Sequence, residues 1–481
     1  MSQPFIGRTQ ELSILNALFS KGKSCFVVIK GRRRIGKSRL VEEFSNGKTF
    51  YRFSGLPPER GITAQTQRDD FSRRLNQYFH DLPGLKADEW SELFDLLSKR
   101  TQKGKIVILL DEIAWMAAGD PAFLGKLKNT WDEAFKKNPN LMLILCGSVS
   151  SWIEENLLAS TAFVGRIHYV MTLKELPLSV CAQFWGKYYE RVSAYDQLKL
   201  LAITGGVPLY LESINPNLSV EGNIQQLCFD HGGLLFREFD TIFHDLFDKR
   251  SVYYKHIVAT LVKGSANMES ICRNLGITSG GVISECLTDL IEAGFISRDY
   301  AWSFKTGIPT KLSRYRLSDN YLRFYLRYID QQKNKIERGL YQYHSFSMLP
   351  EWSTIMGLQF ENLVLSNRAL IWEQLGLSAN DIINDGAYFQ THTKQHAGCQ
   401  IDYLIQTRFH NLFVCEVKFS RNVIKTDVID EMQQKINCLS LPRHFSCFPV
   451  LIHANEVSDL VVDANYFIKI IDLGTMVVAS Q

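Results

Sequence analysis

The stretch CFVVIKGRRRIGKSRLVEEF, residues 25–44, constrains the fold more tightly than any other part of the chain. Cys25 to Lys30 is a short β-branched and aromatic run, the pattern of a strand buried on both faces of a parallel sheet. It passes into Gly31-x-x-x-x-Gly36-Lys37-Ser38 and then into a helical spacing of Leu40, Val41 and Phe44. Strand, glycine loop and helix in that order make a phosphate cradle. The glycines let successive N–H groups turn inward, and the helix adds its positive end. Lys37 reaches the β- and γ-phosphates, and the Ser38 hydroxyl meets magnesium. Arg32, Arg33 and Arg34 are read as part of this loop and not as a nucleic-acid patch. The expected ATP-binding segment is therefore Gly31, Arg32, Arg33, Arg34, Ile35, Gly36, Lys37, Ser38 and Arg39.

Such a loop needs an acidic strand to hold the metal. KIVILLDEIAWM (105–116) supplies an apolar run, Ile106 to Leu110, that ends in Asp111-Glu112. Asp111 is expected to hold magnesium together with Ser38. Glu112 is expected to polarise the attacking water as catalytic base. A third apolar strand, LMLILCGSVSSW (141–152), places Ser148 where a polar side chain senses the γ-phosphate. Arg166 carries two readings, a cation supplied to the transition state from a neighbouring subunit or an ordinary surface arginine.

FIGRTQEL (5–12), GRRRIGKS (31–38), LLDEI (109–113), CGSVSSW (146–152), GRIHYVMTL (165–173) and TGGVPLYL (204–211) together resemble the archaeal-type branch of AAA-related ATPases, close to the STAND class. The resemblance covers roughly residues 1–250. It implies that Phe5, Gly7 and Arg8 help enclose the adenine. It also implies a helical lid in which Pro208 lies near the nucleotide.

A chain of 481 residues exceeds one core and calls for several domains. The net charge of +4 permits a nucleic-acid partner without demanding one. Ten scattered cysteines without a Cys-x-x-Cys pair argue against a zinc site or a disulfide framework. The N-terminus lacks the apolar core of a signal peptide, and no apolar stretch is long enough to span a bilayer, so a cytoplasmic location is expected.

From Tyr253 the pattern becomes three amphipathic helices and two alternating strands, which describes a winged helix. Its third helix, 279–293, holds polar Ser279, Ser284 and Thr288 beside acidic Glu285, Asp289 and Glu292, with no arginine. A packing or coupling role is preferred over sequence reading. Phosphate contacts remain open for the more basic Lys305, Lys311, Arg314, Arg316, Arg323 and Arg327.

IDYLIQTRFHNLFVCEVKFS (401–420) reads as two strands joined by a turn. Glu416 and Lys418 share one face of the second strand, Asp402 stands in the first, and Glu361 sits beside an apolar helical stripe of Met356, Phe360 and Leu363. A half-exposed strand with a wet face explains Glu416 and Lys418 alone. Three carboxylates and a lysine favour a magnesium site, with the lysine orienting the attacking water. The set Glu361 … Asp402 … Glu416-x-Lys418 resembles the PD-(D/E)xK nuclease superfamily, with Ile401 where proline would precede the aspartate. Gln433 or Gln434 of DEMQQKI (430–436) is expected to face this site.

The expected fold class is α/β and multidomain: a P-loop ATPase core at 1–175, a helical lid at 176–250, a winged helix at 251–330, a linker at 331–352 and a restriction-endonuclease-like domain at 353–481. The expected catalytic residues are Glu112, Glu361, Asp402, Glu416 and Lys418. Ser38, Asp111, Asp402 and Glu416 are the expected metal ligands, and Ser148, Arg166 and Pro208 complete the ATP site. The cofactors are ATP and magnesium, or manganese in the C-terminal domain. The functional expectation is an ATPase coupled to a magnesium-dependent nuclease acting on nucleic acid, DNA more readily than RNA, within a homo-oligomer. Its alternative is an ATP-driven switch whose C-terminal domain binds without cutting.

Overall fold

The computed structural model describes residues 4–477 apart from 58, 60, 82, 83, 149, 248–250, 279, 342–344 and 393–396. Contacts divide the chain into two compact units. One takes 1–174 with 241–251 and 288–294, and the other takes 175–240, 252–287 and 295–481.

In the first unit β1 (Cys25–Lys30) leads through the glycine loop to helix α1 (Lys37–Phe44). β2 (Thr49–Ser54), β3 (Ile106–Asp111), β4 (Leu141–Gly147) and β5 (Tyr169–Thr172) complete a parallel sheet of order β2-β3-β4-β1-β5. The unbroken apolar runs of β3 and β4 are buried at every position because the sheet is covered on both faces. One face carries Phe26, Phe53, Phe71, Trp90, Phe94, Phe123 and Trp131, and the other carries Val27, Ile29, Leu40, Val41 and Ile144. β1 lies inside the sheet, so its loop opens at the sheet's carboxyl edge.

In the second unit α2 (Ala194–Thr204) is buried along nearly its whole length. The stretch read as a winged helix holds α3 (Ser251–Thr260), α4 (Met268–Leu275), α5 (Gly281–Glu292) and an antiparallel ribbon of β6 (Ile296–Trp302) and β7 (Pro309–Leu317). Ser279, at the start of the expected third helix, lies outside the described residues. The stretch read as a linker contains a short helix at Lys333–Glu337.

The C-terminal part follows as α6 (Trp352–Ser366), β8 (Ile382–Gln390), β9 (Cys399–Thr407), β10 (Asn411–Lys418), α7 (Asp427–Cys438), β11 (Ser446–His453) and β12 (Lys469–Asp472). The sheet order is β12-β11-β10-β9-β8. β8, β9 and β10 pair antiparallel, and β10, β11 and β12 pair parallel. β10 is thus the central strand, buried from Leu412 to Val417. The half-exposed edge, which the alternation of Phe413, Cys415 and Val417 permitted, is excluded by this position.

The ribbon packs on the C-terminal sheet. Trp302 Nε1 donates to Gln406 Oε1 at 2.7 Å, and Gln406 Nε2 donates to the Phe304 carbonyl at 2.8 Å. Most of the basic side chains on and after it are turned to internal use. Arg316 pairs with Asp299 at 2.8 Å and also donates to Asn362, while Arg314 lies over the Phe389 ring. Arg323 is fully buried and donates to the carbonyls of Leu261, Val262 and Leu317. Arg327 meets Glu351 at 3.1 Å. Lys305 and Lys311 stay exposed. The basic count that left phosphate contacts open is largely spent on packing. Among the described residues no helix is long and apolar enough to cross a membrane, and all ten cysteines are free thiols.

Candidate functional site

The glycine loop is shaped by backbone angles that only some residues tolerate. Gly31 has φ 146°, and a Cβ there would stand 2.5 Å from the Leu173 carbonyl oxygen. Gly36 has φ 87° and opens α1 without any side-chain cap, which leaves the first N–H groups of the helix for an anion. Arg34 adopts φ 67°, a left-handed conformation costly for a non-glycine residue and characteristic of functional loops.

Lys37 is buried and folds back over this loop, its Nζ donating to the carbonyls of Gly31 at 2.9 Å and Arg32 at 3.1 Å. Burial pushes its pKa down, and the charges of Glu112 and Asp111 offset part of that shift. Ser38 Oγ donates to Asp111 Oδ2 at 2.6 Å, which joins the two expected metal ligands from α1 and the end of β3. Glu112, next in sequence, has φ 50° and accepts from both the backbone N–H of Ser148 (3.1 Å) and its hydroxyl (2.8 Å). The expected base and the expected sensor therefore hold one another.

Two further arginines shape this site. Arg52, the one charge in the aromatic strand β2, donates to Asp111 Oδ2 at 2.8 Å and pairs with Glu42. Arg8, assigned by resemblance to the adenine, is buried and braces the loop, donating to the Ile35 carbonyl at 3.1 Å and the Lys174 carbonyl at 2.6 Å. Arg166 makes a forked pair with Asp132, Nε to Oδ2 at 3.0 Å and Nη2 to Oδ2 at 2.7 Å. That guanidinium holds the Asp132 carboxyl well below the usual carboxylate range. Arg33 stands over the Trp115 ring. Pro208 opens a short helix in the second unit.

The second site lies at the end of β10. Glu416 is only 3% exposed. The register that pairs Cys415 with Tyr403 brings Asp402 alongside it, and Asp402 Oδ2 accepts the Val417 N–H at 3.1 Å. Lys435 of α7 bridges the two carboxylates, 2.5 Å from Glu416 Oε2 and 3.5 Å from Asp402 Oδ1. Lys418 reaches Glu416 Oε1 at 3.1 Å and Glu431 Oε2 at 2.6 Å. Glu361 comes in from α6. Burial and then the Asp402 charge push its pKa up to about 8. Asp402 is itself raised to about 6 by burial and by Glu416. For Lys418 and Lys435 burial acts downward, but their carboxylate partners outweigh it and both ammonium pKa values rise.

Asp402, Glu416 and Lys418 lie together, and Glu361 is near enough to Asp402 to feel its charge. Lys435 was not foreseen. The helix expected to offer Gln433 or Gln434 leaves both exposed, and Glu431 and Lys435, four residues apart on one face, are the ones that reach Lys418 and Glu416. Among the described residues no group of three or more His, Cys, Asp or Glu side chains is placed to hold a metal ion. Two carboxylates converging on one cation, Asp402 and Glu416 on Lys435, are what is present. Magnesium is commonly bound by one or two carboxylates, with water and phosphate completing its shell, so this donor set fits it.

A parallel sheet with a glycine loop after an inner strand, and an acidic residue ending the strand one removed from it, defines the class of P-loop ATPases. Residues 5–214 match the family described as an ATPase domain predominantly from Archaea, and the chain carries that ATP-binding ATPase domain. An uncharacterised protein of Methanocaldococcus jannaschii is 24% identical over 360 residues, 75% of this chain and 76% of that one. An uncharacterised ATP-binding protein of the same organism is 34% identical over 50 residues, 10% of this chain and 85% of its own. In fold the chain is similar to a Walker-type ATPase of Pyrococcus abyssi, with TM-score 0.52 and 17% identity over 67% of this chain and 96% of that one.

Proposed function

We propose that this ATPase governs a magnesium-dependent nuclease-like site in its C-terminal part, acting on nucleic acid. The observation that supports it is the convergence of Asp402 and Glu416 on a single cation position, with Lys418 and Glu361 at its rim. Buried carboxylates that share a position must be neutralised. In this reading Lys435 does so, and Asp402 and Glu416 would hold magnesium. Bound there, the metal would neutralise charge on the scissile phosphate. Lys418 would orient the attacking water, and Glu361 would hold a proton near the reacting oxygens. In the ATPase half Ser38 and Asp111 would hold magnesium, Lys37 would leave the carbonyls of Gly31 and Arg32 for the phosphates, and Glu112 would polarise water once it parts from Ser148.

The test is incubation of the full chain with linear, circular and single-stranded DNA and with RNA, with and without ATP and magnesium or manganese. Metal-dependent cleavage that Asp402→Ala and Lys418→Ala both abolish is expected. Absence of cleavage on every substrate would sink this reading. A second reading, an ATP-driven switch whose C-terminal part binds but does not cut, draws on the existing balance of Lys435 against both carboxylates. ATP-dependent binding of nucleic acid without cleavage would favour it.

A further inference from the structure

Next to the carboxylate cluster lies a cavity of about 690 Å³, walled by side chains of α2, α6 and the segment that follows β10. Its composition differs from that of the cluster. Tyr195 and Phe419 stack at 5.0 Å between centroids with ring planes 15° apart, and the half-buried Trp352 supplies further aromatic surface. Arg421 is exposed at the rim, and Lys199 is balanced by Asp196 and Glu221. Two pairs of residues adjacent in sequence link the cavity wall to the cluster. Phe419 follows Lys418, Phe360 precedes Glu361, and the two phenylalanine rings meet at 5.3 Å.

We infer that this cavity takes one unpaired nucleotide of the strand presented to the carboxylate cluster, and so selects single-stranded ends or overhangs over blunt duplex. Flat rings offer stacking surface that any base can use, and each such contact is worth roughly tenfold in binding. The Arg421 guanidinium is suited to the phosphate that accompanies the base. The volume is that of a pocket for a single small ligand and not of a groove for a helix. A base paired inside a duplex keeps both faces stacked on its neighbours, and a terminal base would have to leave its partner to enter a pocket of this size. This inference rests on the nuclease-like reading of the adjoining cluster, and the experiment separates the two.

The measurement is fluorescence anisotropy with the full chain and a labelled duplex, either blunt or carrying a short single-stranded overhang, in calcium without magnesium. Cleavage is assayed in parallel with magnesium. Wild type should bind the overhang at least about tenfold more tightly. Arg421→Ala and Tyr195→Leu should each erase most of that preference while ATP turnover stays unchanged. Arg421 is exposed, so its variant is expected to fold; circular dichroism checks Tyr195→Leu. Equal affinity for blunt and overhanging duplex, or a preference that survives in both variants, would overturn the inference even where cleavage is intact. A preference lost with Arg421→Ala, found together with no cleavage on any substrate, would uphold the pocket and defeat the nuclease-like reading.

Discussion

At the mouth of the sheet in the first unit, a buried lysine is held by neutral carbonyls. At the corresponding end of β10 in the second, buried carboxylates are held by a lysine. Lys37 donates only to carbonyl dipoles, at 2.9 and 3.1 Å, and burial holds its pKa down although the charges of Glu112 and Asp111 oppose that. A desolvated cation facing uncapped helix N–H groups gains from any phosphate that arrives. Asp402 and Glu416 are already matched by Lys435 and Lys418. A metal arriving there gains only the difference between itself and a resident ammonium. The first site is poised for its ligand, whereas the second has to be unlocked.

The largest effect that tests this contrast is at Lys37. Lys37→Ala should lower phosphate release at saturating ATP by roughly a hundredfold or more, because a preorganised charge is lost where charge develops. Turnover near wild type would break the contrast on its first side. Lys435→Met should cost on the order of 2 kcal/mol in denaturant unfolding without divalent ions, since Glu416 and Asp402 lose their shared partner. Millimolar magnesium should recover more stability in that variant than it adds to wild type. An equal response in the two proteins would show that Lys435 and the metal do not compete.

Arg166→Ala sharpens the comparison from another side. Its fork on Asp132 predicts a loss of about 1 kcal/mol in stability. ATP turnover should change by less than about twofold, measured across protein concentrations so that a role in a neighbouring subunit would show as a larger, concentration-dependent loss.

A pH slope tests the second site separately. The Glu361 carboxyl titrates at about 8 in the folded chain, against about 4.3 when unfolded, so the folded state binds more protons between those values. Stability should therefore fall as pH rises from about 5 to about 8. Asp402, raised to about 6, adds to the same trend at the lower end. Melting temperatures followed across that range without divalent ions should show the decline, and Glu361→Gln should flatten it. A melting temperature that climbs over this interval would contradict the burial assigned to Glu361.

Legibility in the sequence differs between the two sites for a geometric reason. The cradle from Gly31 to Ser38 is one contiguous turn, so its spacing is its structure. β3 and β4 announced themselves as unbroken apolar runs because both faces of a parallel sheet are covered. The C-terminal carboxylates were legible only as a set, and the helix after β10 was read one position short. Gln433 and Gln434 point outward because Met432 and Val428 fill the buried stripe of α7 and set its rotation. That rotation turns Lys435 toward the carboxylates, and no local pattern distinguishes it from an ordinary surface lysine. Arg52 was hidden in the same way, since its partner Asp111 lies 59 residues away.

By itself the chain's order of residues determined the phosphate loop, the acidic strand that serves it, the apolar character of β1, β3 and β4 and the candidacy of residues 361, 402, 416 and 418. Each of these depends on spacing along a single element, which is a property of the backbone's own repeat. Tertiary structure alone decided that β10 is central, that most of the arginines on and after the ribbon face inward, that Arg8 braces the loop and that Lys435 completes the carboxylate cluster. Those outcomes depend on charges far apart in the chain being brought together out of water, where a pairing too weak to matter on a surface becomes obligatory.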